Sequence, residues 1–223
     1  MATSELDGPR LAPAAGGPPR QLVVFLHGYG ADGNDLIGLG REWAPLLPHA
    51  AFVSPNAPEP CGMAPMGCQW FDLSMGDMSI IGAGVKRAAP ALDSFLDAEL
   101  ERQGLTAESL ALVGFSQGTM MALSVGLTRK DKPTAIVGYS GALATVEELP
   151  APGQAPAILL VHGDMDEVIP VEAMTMAREA LGQAGLSVQW HVSTGIGHGI
   201  DGDGLRLGGQ FLTQAFAGAL TAG

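Results

Sequence analysis

The sequence predicts an α/β fold, a mostly parallel central sheet with helices on both faces, in a single domain. Three observations carry that prediction. Short apolar runs such as Gln21-Leu22-Val23-Val24-Phe25-Leu26 and Leu110-Ala111-Leu112-Val113 lack polar alternation, as strands buried on both faces require. These runs alternate along the chain with longer segments of helical apolar spacing. A chain of 223 residues, 47% of them hydrophobic, is long enough to bury one large core, and no linker-like stretch divides it.

The elements follow in order. Residues 1–20, rich in Pro, Gly and Ala, read as a loose lead-in with a short edge hairpin, and residues 21–223 as the domain itself. A strand over 21–27 ends at Gly28, a helix over 34–46 closes near Pro45, and a strand over 50–54 is stopped by Pro55. Residues 55–79 form a loop too long to be a mere connection, rich in Pro, Gly and Met, and expected to border the active site. Val85, Ala88, Ala89, Leu92, Phe95, Leu96 and Leu100 space a helix over 81–102. Then come strand 110–115, helix 117–127, strands 134–139 and 157–162, helix 171–183, strand 187–193 and a glycine-weakened helix over 205–220. Active sites in such folds gather at the carboxyl ends of the strands.

Composition excludes several partners. Lys and Arg number 11 against 23 Asp and Glu, a net charge of −12, which argues against nucleic acid or an anionic membrane. Residues 1–20 lack the apolar core of a secretion signal, and no apolar run approaches the roughly 18–20 residues a membrane span needs. A cytoplasmic protein acting on a small molecule is expected, as a monomer or homodimer. Cys61 and Cys68 are expected as free thiols, with a local disulfide as the alternative, and two cysteines are too few for a structural zinc site. No metal or cofactor is expected.

The most informative motif is Gly114-Phe115-Ser116-Gln117-Gly118, set between an apolar strand and an apolar helix. G-x-S-x-G on a strand-to-helix turn is a nucleophile elbow. The serine adopts a strained backbone, and the glycines let strand and helix pass without side-chain collision. A serine hydroxyl needs a base to take its proton and a third group to orient that base. Among five histidines, His49 follows Pro48 in a surface turn and His191 lies inside a strand. His27 and His162 each precede a glycine at a strand end, a position suited to bracing a turn. His198, in the loop Gly195-Ile196-Gly197-His198-Gly199 past the last strand, is the candidate base. The acid should fall between nucleophile and base in chain order. Asp166 is chosen from His162-Gly163-Asp164-Met165-Asp166-Glu167, with Asp164 the alternative, its ordinary reading being a turn cap. Oxyanion donors are expected in the backbone amides of Gln117 and Tyr29, the latter following the first long strand. Gly28-Tyr29-Gly30-Ala31-Asp32-Gly33 also spells a dinucleotide fingerprint, but the next strand ends Val53-Ser54-Pro55-Asn56 without the acid that reading needs.

These residues resemble the phospholipase/carboxylesterase family of α/β-hydrolases, which includes acyl-protein thioesterases and small bacterial carboxylesterases. The matching segments are Phe25–Gly33, Pro55-Asn56-Ala57-Pro58, Gln69-Trp70-Phe71-Asp72, Gly114–Gly118, His162–Asp166 and Gly197-His198, in the family's order. The resemblance implies an α/β-hydrolase fold with Ser116, Asp166 and His198 as triad and Tyr29 and Gln117 as oxyanion donors. Two departures stand out: the run Pro60–Cys68 is unlike the family's usual loop, and Glu167 replaces a common proline after Asp166.

Methionine and aromatic residues in the long loop (Met63, Met66, Trp70, Phe71, Met75, Met78) suit an adaptable apolar acyl site. Trp70, Met63, Leu143 and Ile169 are the expected substrate contacts. With no basic cluster to hold a phosphate, the expectation is a serine carboxylesterase for neutral short- to medium-chain esters, working through an acyl-enzyme. Lysophospholipase or acyl-protein thioesterase activity is the alternative, and a ligand-binding protein without turnover is the reading outside enzymes.

Overall fold

Alternate residues of each central strand face opposite cores. In a computed structural model, which describes residues 6–73, 78–146 and 149–220 (backbone alone at 78–79), β2 (Gln21–Leu26) sends Leu22, Val24 and Leu26 to one side and Val23 and Phe25 to the other. The same two-residue period runs through β6 (Leu110–Phe115), β7 (Ala135–Tyr139) and β8 (Ala157–Gly163). Each face therefore presents an apolar layer that only a helix with an apolar stripe can cover. On one side lie α2 (Met78–Gln103), α3 (Gln117–Thr128) and α4 (Glu172–Gln183), and on the other α1 (Gly33–Trp43) and α5 (Gly202–Phe216).

The seven-stranded sheet has the order β1-β3-β2-β6-β7-β8-β9, where β1 is Arg10–Leu11, β3 Ala50–Val53 and β9 Val188–Ser193. Every pairing is parallel except β1 with β3. The carboxyl ends of β2, β6, β8 and β9 thus open onto one rim. This is the α/β-hydrolase architecture that the sequence predicts, and the long elements fall within a few residues of their expected bounds.

Three local expectations are corrected. Within the described part of the lead-in, Arg10 and Leu11 pair with Val53 and Phe52 as an edge strand rather than forming a hairpin. The Arg10 guanidinium grips Glu99 of α2 at 2.6 and 3.3 Å, and Glu99 is only 1% exposed. The long loop contains a small hairpin of its own, β4 (Glu59–Pro60) against β5 (Cys68–Gln69). Residues 74–77, with Met75, and the side chain of Met78 lie outside the described residues. Finally, α5 starts at Gly202 because Asp201 caps it, accepting from the Gly204 amide at 2.9 Å. Its glycines permit close docking: a Cβ on Gly208 would stand 2.0 Å from the Tyr139 hydroxyl. Among the described residues no helix is long and apolar enough to cross a membrane.

Candidate active site

The turn between β6 and α3 is as tight as its sequence demands. Ser116 has φ 54° and ψ −116°, a left-handed-side conformation costly for any residue with a Cβ, on the order of 1–3 kcal/mol. Its amide donates to Tyr139 O at 2.9 Å, so the neighbouring strand end holds the strained residue in place. A Cβ on Gly118 would lie 1.8 Å from Leu26 O, and one on Gly114 would lie 2.4 Å from the Gly118 carbonyl carbon. Only glycine fits either place. Ser116 is 7% exposed and precedes the first turn of α3, whose amides favour negative charge.

The loop after β9 carries His198 back over this turn. Its imidazole lies 4.9 Å from the Phe115 ring, centre to centre. Four bonds fix the loop: Met165 N to Ile196 O at 2.9 Å, Gly195 N to Asp164 Oδ1 at 2.6 Å, Asp164 N to Ser193 O at 3.1 Å, and Ser140 Oγ to Gly199 O at 3.4 Å. Asp164 therefore braces the loop and does not reach the imidazole ring through any bond described.

Asp166 does reach it. Its buried carboxylate accepts the Val168 and Ile169 amides on Oδ1, both at 2.9 Å, and His198 Nδ1 on Oδ2 at 2.7 Å. Burial pushes this carboxyl up, but the bonds from His198, Ile169 and Val168 outweigh it and hold the group below the usual range. An ionised Asp166 puts the proton on Nδ1 of His198 and leaves Nε2 as the basic edge. His162 closes the same cluster, its Nε2 2.7 Å from Ile169 O and 3.3 Å from Asp166 Oδ2.

Beside the serine runs the loop Gly28-Tyr29-Gly30-Ala31. A Cβ on Gly28 would come within 3.4 Å of the Ser116 Cβ, so the two segments are in contact range. His27 braces the loop from beneath: Nδ1 donates to Gly28 O at 2.8 Å while Nε2 accepts the Ala57 amide at 3.0 Å. Burial pushes its pKa down, which suits this neutral pattern. The hairpin clamps the other side, with Gly30 N to Cys68 O at 2.9 Å and Cys68 N to Ala31 O at 2.7 Å. Both cysteines are free thiols, and Cys61 bonds the Tyr29 phenol, which raises the phenol's pKa.

The expected substrate contacts separate. Trp70 is 1% exposed, and its indole N–H donates to His27 O at 3.0 Å. Met63 is 84% exposed at the hairpin tip, while Leu143 and Ile169 are partly buried against the core at the ends of β7 and the acid loop. The Gln117 side chain holds a position that its sequence context did not disclose. Oε1 accepts the Trp70 amide at 2.9 Å and Nε2 donates to Phe71 O at 2.7 Å, stitching the long loop to the start of α3. A glutamine directly after an elbow serine is the one sequence signal for these bonds, and on its own it points only to a backbone amide.

A family model described as phospholipase/carboxylesterase matches residues 12–215. The chain is 31% identical to an esterase, YpfH, of Escherichia coli over 190 residues, covering 85% of this chain and 81% of that protein. It is 28% identical to acyl-protein thioesterase 1 of Neurospora crassa, covering 96% and 94% of the two chains. Among solved structures, esterase PE8 superposes with a TM-score of 0.89 at 41% identity, covering 95% of this chain and all (100%) of that one. A carboxylesterase of Mesorhizobium loti, at 21% identity and a TM-score of 0.74, shares the fold.

Proposed function

This chain belongs to the phospholipase/carboxylesterase family, and on that premise we propose that it is a serine carboxylesterase hydrolysing short- to medium-chain carboxylic esters through an acyl-enzyme. The observation that carries the reading is the buried, ionised Asp166 bonded at 2.7 Å to His198 on the rim that also holds the strained Ser116.

In this mechanism His198 Nε2 takes the proton as Ser116 Oγ attacks the ester carbonyl. Asp166 stabilises the imidazolium that forms and keeps the ring's orientation. The backbone amides of Tyr29 and Gln117 donate to the oxyanion, one from the braced loop after β2 and one from the first residue of α3. His198 then returns the proton to the leaving alcohol, and water repeats the sequence to release the acid. Met63, Leu143 and Ile169 supply apolar walls for the acyl chain, with Trp70 holding the floor beneath them. A reducing, cytoplasmic compartment fits the two unpaired thiols.

The experiment is hydrolysis of p-nitrophenyl esters from acetyl to palmitoyl, with Ser116→Ala alongside. A serine-dependent optimum at short to medium chains is expected. The relative named acyl-protein thioesterase favours a second reading, thioester or long-chain hydrolysis, which an optimum at long chains would select. A folded protein with no turnover at any length would move the reading to ligand binding.

A further inference from the structure

Asp166 is flanked by two imidazoles, and the mechanism uses only one. His162 is the sixth residue of β8, 2% exposed, with its ring turned into the acid loop. Its Nε2 lies 2.7 Å from Ile169 O, a group that can only accept, so Nε2 carries a hydrogen. The N–H is aimed at that carbonyl, and the same nitrogen lies 3.3 Å from Asp166 Oδ2, the oxygen that His198 also uses, as a close contact and not a hydrogen bond. Ile169 in turn donates its amide to Asp166 Oδ1 at 2.9 Å. The three residues therefore form a closed ring: His162 holds the Ile169 carbonyl, Ile169 holds one carboxylate oxygen, and His162 lies against the other.

From this ring we infer that His162 is a positioning residue for Asp166, fixing the rotamer from which the carboxylate meets His198. The inference rests on the triad reading above. A carboxylate gripped only by the Val168 and Ile169 amides on Oδ1 keeps freedom to swing Oδ2 away from Nδ1 of His198. The His162 ring limits that freedom, because it lies against Oδ2 and anchors the carbonyl of Ile169, whose amide holds Oδ1. The substrate touches neither the His162 ring, the Ile169 main chain nor the Asp166 carboxylate. The effect falls on the rate of the proton transfer that His198 performs, and binding is spared.

The test is a double-mutant cycle with p-nitrophenyl butyrate. His162→Phe keeps the ring and removes the donor, whereas His162→Gln keeps a donor at the reach of Nε2. Losing the Ile169 anchor together with the contact against Oδ2 predicts a kcat for His162→Phe roughly 10- to 100-fold below wild type, with KM changed less than about 2-fold. His162→Gln should recover most of that loss. In an Asp166→Ala background, where no carboxylate is left to position, His162→Phe should lower kcat no further. If His162→Phe does not fold, His162→Asn, whose amide falls short of Ile169 O, takes its place in the cycle. Wild-type kcat in the donor-less variant, a Gln variant as impaired as Phe, or equal losses in both backgrounds would each overturn the inference. Ser116→Ala separates the two levels. Retained turnover there sinks the triad reading itself, whereas a silent Ser116→Ala with additive His162 effects sinks only the positioning role.

Discussion

At the scale of single residues, the site is a set of groups held where isolated side chains would not stay. Ser116 occupies a backbone region that only its neighbours enforce, and Asp166 is held below its ordinary pKa by hydrogen bonds that outweigh the upward push of burial. Ser116→Ala should lower kcat by roughly 10³–10⁶ while leaving the fold intact, as ester turnover and the thermal midpoint together would reveal. The depressed pKa of Asp166 also makes a stability statement. A carboxyl whose folded pKa lies below its ordinary 3.8 stabilises the fold at all pH above that value, and the contribution is lost as pH falls through the lowered folded value. Asp166→Asn should therefore lower the thermal midpoint at pH 7, and the gap to wild type should close as the pH is taken well below 4. A gap of constant size down to pH 2 would contradict that origin. The serine, both acids and the base loop were legible as residue types at strand ends. The Gln117 side-chain bonds were not, since nothing local in a sequence tells where a loop some 47 positions away will pass.

Elements were legible in proportion to their length. Six-residue strands buried on both faces leave unbroken apolar runs, and β2 and β6 are read almost to the residue. Two-residue strands have no period to detect, so β1 and the hairpin of β4 and β5 left no signal, and Pro60 argues locally against a strand. These short pieces nevertheless anchor long ones. The Arg10–Glu99 pair ties the edge strand to α2, and Glu99→Ala should destabilise the fold by about 2 kcal/mol in a urea titration, less than a fully buried pair because Arg10 is partly exposed. Gln117→Leu removes the partners of the Trp70 amide and the Phe71 carbonyl. It should cost about 1–3 kcal/mol in the same assay, with the backbone amide proposed for the oxyanion retained.

For the molecule as a whole, the sheet order β1-β3-β2-β6-β7-β8-β9 assembles the proposed site. It brings the ends of β2, β6, β8 and β9, distant in sequence, to one rim. In the proposed mechanism the β2 end offers an oxyanion loop, the β6 end a nucleophile, the β8 end an acid and the β9 end a base. Chelation should leave turnover unchanged, because the proposed mechanism gives each chemical role to a side chain or an amide. The claim on which everything else depends is that Ser116 carries the acyl group. Its most direct test is mass spectrometry of the protein quenched during turnover of p-nitrophenyl butyrate, with the labelled peptide sequenced. A butyryl group on Ser116, absent from Ser116→Ala, is the predicted result. Steady turnover with the acyl group on another residue, or undiminished in Ser116→Ala, would contradict it.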